Sequence, residues 1–86
     1  MATVVFSARS LEHIERALLE AVTAIQSAAE HLAAHPLLGR RVHGEIRALI
    51  ISYGKTGYVA LYRFLVPRDE VRILALRHQK ELGFVP

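Results

Sequence analysis

Arg47, Arg63, Arg77, His78 and Lys80 are the residues of this chain whose types and spacing are suited to chemistry on a phosphate. Metal-free cleavage of RNA needs a base for the 2′-hydroxyl, an acid for the leaving oxygen and cations for the phosphorane, and His and Arg can supply all three. If cleavage occurs, Arg63, Arg77 and His78 would carry it. The bland account is structural, with Arg63 and Arg77 paired to Glu45, Glu81 or a helix carboxylate. Between the two lies plain recognition, in which Arg47, Lys55, Arg63, Arg77, His78 and Lys80 bind a target or a nucleic acid. No other constellation competes. There is no Cys, which removes a thiol nucleophile and a cysteine-ligated metal. Asp69 is the sole Asp, so no Ser-His-Asp set assembles. Gly54-Lys55-Thr56 imitates the end of a P-loop, yet Leu49 stands where its first Gly belongs and a strand rather than a helix comes next. Gly54-Lys55-Thr56-Gly57 reads as a hairpin turn with Lys55 at its tip. His31 and His35 have the i,i+4 spacing of metal ligands, but only His43 is near enough in sequence to be a third, so they read as polar residues at a helix end. No metal and no cofactor are expected.

The elements that must position these residues belong to one domain spanning all 86 residues. A hydrophobic fraction of 52% with 22% charged residues excludes disorder. Mean hydropathy is positive, +0.27, yet no apolar run approaches the ~18 residues of a membrane span. The first ten residues have no basic-then-apolar order, so no signal peptide and no membrane partner are expected, and the protein is placed in the cytoplasm. Charge is uneven. Residues 1–38 hold two arginines against four glutamates, and the remainder holds nine basic against four acidic residues.

Thr3–Phe6 is a short β-type run, and Ser7 and Ser10 are candidate N-caps for a helix beginning just after it. From there to Ala34 the chain has no Gly and no Pro, and apolar residues recur in steps of three and four from Leu11 through Ile14, Leu18 and Ile25 to Leu32. That period predicts one amphipathic helix, ended by Pro36, with a helical hairpin turning near Glu20–Thr23 as the alternative. His35–Gly44 reads as a loop. Glu45–Ser52, Tyr58–Val66 and Val71–Arg77 read as three strands joined by short turns. The expected class is α+β: an N-terminal strand, a long helix (or helical hairpin), then a three-stranded antiparallel meander completing a small sheet.

The middle strand is largely apolar on both sides, with Val59, Leu61, Arg63 and Leu65 opposite Tyr58, Ala60, Tyr62, Phe64 and Val66. A sheet with one wet face alternates apolar and polar residues instead. One helix covers one face, so the second face calls for a partner. A rod of about 25 residues is about 38 Å long, against a small sheet about 20 Å across, so an overhang would pack on a second copy.

HPLLGRRVHGEIRALIISYGKTGYVALYRF and VRILALRHQKELGF together resemble the RelE/ParE superfamily of bacterial type II toxin–antitoxin toxins, closest to its ParE-like branch. TVVFSARSLEHIERA resembles the family's first strand and helix start. The resemblance implies a plasmid-stabilisation toxin that inhibits DNA gyrase by binding and is neutralised by a cognate antitoxin. That partner is expected on a face carrying Tyr58, Tyr62, Phe64 and Phe84. Ribosome-dependent mRNA endonucleases of the superfamily are the alternative. They carry Arg directly after the Tyr that opens the middle strand and often a Tyr near the end, and here Val59 and Phe84 stand in those places. A third reading is a shortened, inactive relative that binds only an antitoxin.

Overall fold

The computed structural model describes residues 1–15, 19–53 and 56–78. The chain opens with strand β1 (Thr3–Phe6), followed by helices α1 (Ala8–Glu15) and α2 (Leu19–Ala34). Four strands complete it: β2 (Arg40–His43), β3 (Ile46–Tyr53), β4 (Thr56–Leu65) and β5 (Glu70–His78). They form one five-stranded sheet in the order β1-β5-β4-β3-β2. β1 runs parallel to β5, and every other neighbour is antiparallel. Among the described residues no helix is long and apolar enough to cross a membrane.

Three expectations change. The single long helix is two helices. The step from Ile14 to Leu18 is one a single helix also makes, so the apolar period does not distinguish one helix from two. The two helices cover different strands, α1 lying on β5 and α2 on β3 and β1. Pairing of two copies through an overhanging rod loses its premise. Second, Arg40–His43 is a strand inside the segment read as a loop. All four of its residues are exposed, so no apolar alternation marks it. A bulge between Arg41 and His43 and a positive φ of 56° at Gly44 bring it back onto β3. Third, the three-stranded meander is therefore four antiparallel strands, and the parallel β1 makes the sheet mixed.

The core lies between the helices and one face of the sheet. Ile25, Ala28 and Leu32 of α2 meet Ile51, Ala60, Tyr62, Val71, Ile73 and Leu76, all buried. Burial of such side chains stabilises by about 1.5–3 kcal/mol each. Ser7, not Ser10, caps α1. Its Oγ accepts the Ser10 N–H at 3.1 Å, while Ser10 is buried in the first turn and its Oγ donates to the Ser7 carbonyl at 2.8 Å. At the far end of β4 a 3-10 turn, Val66–Arg68, leads to Asp69 in the left-handed region at φ 48°, where Asp is among the better-tolerated residues. The Asp69 carbonyl then accepts the Thr3 N–H at 2.9 Å and anchors β1.

Candidate functional site

Two faces of one sheet divide the expected site residues. On β4, Tyr58, Tyr62 and Phe64 share a face, as their alternation requires, and it is the face the helices cover. Tyr62 is fully buried, so it is a core residue and presents no surface to a partner. Tyr58 and Phe64 are partly buried against that core. Phe84, Lys55 and Lys80 lie outside the described residues, as does the side chain of His78, whose backbone is opposite Tyr58.

Arg47 is opposite Tyr62 in the ladder, on the helix side. It is not free for a target, because its Nη1 donates to the Gly39 carbonyl at 2.8 Å and to the Leu37 carbonyl at 3.4 Å. The Gly39 N–H in turn donates to the Tyr62 hydroxyl at 2.7 Å. A Cβ at position 39 would stand 2.7 Å from the Tyr62 ring and 2.9 Å from the Ala48 carbonyl, so only glycine fits this approach. Burial pushes the Tyr62 hydroxyl above its ordinary 10.0, against the opposing pull of the Gly39 N–H and the Arg47 charge. Arg47 and Tyr62 thus clamp residues 37–39 to the sheet.

The face away from the helices holds the other arginines. Arg63 is directly opposite Arg72, and Arg77 is opposite Val59, four residues back along β4. Like charges facing each other are costly. Here each has a carboxylate: Arg63 Nη2 sits 2.8 Å from Glu45 Oε2, and Arg72 Nη2 sits 2.8 Å from Glu70 Oε2. The pairing of Arg63 with Glu45 is the structural role weighed from the sequence. At about 3.4 Å per residue, the backbone positions of Arg63 and Arg77 are about 14 Å apart, which spreads positive charge along the strands.

Arg72 was not among the expected site residues, and a bulge sets the face it takes. Leu61 is opposite Ala75 while Tyr62 is opposite Ile73, so Leu74 is an extra residue in β5. In a regular strand Arg72 and Arg77, five apart, would fall on opposite faces, and the bulge brings them to one. Helix α1 fixes it. Ser7 Oγ donates to the Leu74 carbonyl at 3.0 Å, and His13 Nδ1 accepts the Leu76 N–H at 3.1 Å. Among the described residues no group of His, Asp or Glu is placed to hold a metal ion.

The same face carries apolar surface. Val59 and Ala75 are buried, but Ile50 is 59% exposed, and Leu38, which borders the same hollow, is also exposed.

Comparison with known proteins places this arrangement. Residues 4–83 match the family model described as the ParE toxin of the type II toxin–antitoxin system parDE. Toxin RelE3 of Caulobacter vibrioides is 46% identical over 61 residues, covering 71% of this chain and 64% of that protein. The chain therefore spans less than two-thirds of that relative's length in the match. The RelBE toxin–antitoxin complex of E. coli contains a chain of similar fold, with a TM-score of 0.76 at 11% identity, over 90% of this chain and 95% of that one. The RelBE2 complex of Mycobacterium tuberculosis gives 0.75 at 22% identity, over 90% of both chains.

Proposed function

The chain belongs to the ParE toxin family of type II toxin–antitoxin systems, and from that premise we propose that it arrests growth by binding DNA gyrase and is held inactive by a cognate antitoxin. The observation that carries the binding reading is the state of the arginines. Arg63 and Arg72 are held by carboxylates and Arg47 by loop carbonyls. Such groups are fixed, cationic and suited to recognition. General acid–base cleavage would need a further side chain to carry the proton. The antitoxin half of the proposal draws on the similarity in fold to chains from RelBE toxin–antitoxin complexes.

Cleavage of mRNA on the ribosome is the second reading, favoured by the 46% identity to a protein named RelE3. One pair of assays separates the two. Purified chain titrated into a gyrase supercoiling reaction should abolish supercoiling, while mRNA in a translation extract stays intact. Unchanged supercoiling together with cut mRNA would overturn the gyrase reading. In that event Arg77→Ala should abolish cleavage. If neither assay responds and expression does not slow growth, the chain is an inactive relative that retains only antitoxin binding.

A further inference from the structure

We infer that His13 is a positioning residue for Arg77: its neutral imidazole holds the strand backbone next to Arg77, protonation releases that hold, and target binding weakens as pH falls. This rests on the binding reading above, in which Arg77 is one of the cations of the outer face. β1 accompanies β5 only from Glu70 to Ile73, whereas β5 runs on to His78. Past that point the edge of β5 is held from α1 and the residue before it. The Ser7 N–H donates to the Ile73 carbonyl at 2.9 Å, and Ser7 Oγ donates to the Leu74 carbonyl at 3.0 Å. Two residues on, the Leu76 N–H donates to His13 Nδ1 at 3.1 Å. His13 thus does for Leu76 what a neighbouring strand would do.

Leu76 is buried, and a buried N–H without an acceptor is costly. Arg77 follows it directly and takes the outer face, opposite Val59. It stands beyond the bulge at Leu74, where β5 has β4 on one side and no longer has β1 on the other. A loosened Leu76 amide therefore frees the stretch of backbone from which the Arg77 guanidinium is aimed.

One protonation state alone can make this bond. A neutral imidazole has one bare nitrogen, and here it is Nδ1, which puts the proton on Nε2. An imidazolium carries a proton on each nitrogen, and the Leu76 N–H would then face a second donor. Histidine is the side-chain type that changes charge between about pH 5 and 8. Its charged neighbours on α1, Arg9, Glu12 and Glu15, are exposed, and β1 carries no charge. On β5, against which α1 packs, Glu70 and Arg72 pair with each other on the far side of the bulge, and Arg77 takes the opposite face. Arg16 and the side chain of His78 lie outside the described residues.

The test begins with NMR of the full-length chain alone. The His13 ring should carry its proton on Nε2, and the Leu76 amide signal should move with the ring's titration between about pH 7.5 and about pH 5.5. In His13→Asn, whose Oδ1 offers an acceptor that does not titrate, the Leu76 amide should stay still. Binding to purified gyrase is then measured at both pH values. His13→Phe, which has no acceptor, should weaken it roughly tenfold at the higher pH. His13→Asn should restore it, and acidification should weaken the parent more than this variant. On an Arg77→Ala background His13→Phe should cost nothing further, because residues that act through one another are not additive. A loss that persists without Arg77, or an Asn variant that unfolds cooperatively yet binds no better than Phe, overturns the positioning role. Should His13→Phe fail to fold, the parent decides: a Leu76 amide that ignores the ring overturns the inference. If that amide follows the ring but the parent binds no gyrase at either pH, the gyrase reading falls and the pH-sensitive hold on β5 stands.

Discussion

Tyr62 shows how a single side chain can fix both a core and a loop. Its ring is fully buried and its hydroxyl accepts the Gly39 N–H. Because burial raises its pKa above 10.0, the folded chain keeps the phenol proton at a pH where the unfolded chain releases it. The stability it contributes is thus complete below about pH 10 and drains away as pH rises beyond that. Tyr62→Phe should remove this alkaline loss. It should also cost about 1–3 kcal/mol near pH 7, since the Gly39 N–H is left without its acceptor, and urea unfolding at the two pH values measures both effects. Arg63 sits at the other extreme. Its pair with Glu45 is exposed, 44% and 73% for the two side chains, and Arg63→Ala should cost no more than about 1 kcal/mol of stability. A much larger loss in gyrase inhibition by that variant would then be a loss of target contact. Strand alternation did place Tyr58, Tyr62 and Phe64 on one face. Which face the helices take was written more faintly, in Arg63, the one charged residue of β4 and the mark of the outer side.

Among the elements, α1 does more than cover β5. Ser7 serves as its N-cap and also satisfies the Leu74 carbonyl left over at the bulge. Ser7→Ala removes both bonds, and the expected cost is about 1–2 kcal/mol in denaturant unfolding, with faster amide exchange at Ser10. Ser7→Thr should retain most of that stability. Elements with strong internal patterns were legible from sequence: β3, β4 and β5 start and end within one or two residues of their expected limits. Those defined by a neighbour were not. β2 exists because β3 offers an edge, and RRVH carries no pattern of its own. The bulge at Leu74 is an irregularity of pairing, which no period-2 pattern in β5 marks. The division of the helix escaped for a related reason, since Ile14 and Leu18 keep step across it.

For the whole molecule, the first strand closes the fold. The Ala2 N–H donates to the Ala33 carbonyl at 2.8 Å and the Thr3 N–H to Asp69, while β1 lies along β5 from Glu70 to Ile73. Deleting residues 1–6 should expose the edge beside the buried Val71 and Ile73 and abolish cooperative thermal unfolding, as followed by circular dichroism. The expectation that one apolar face would remain open is met only in part. Val59 is buried, while Ile50 and Leu38 leave a local apolar margin at one edge of the sheet.

The parallel pairing of β1 with β5 joins residues 67 positions apart, such as Thr3 and Glu70. A strand that precedes both helices must wait for one that follows the rest of the sheet. Contacts so distant along the chain form late, after the local hairpins. The sheet is therefore completed only when β1 finds β5, after the antiparallel strands have paired with one another.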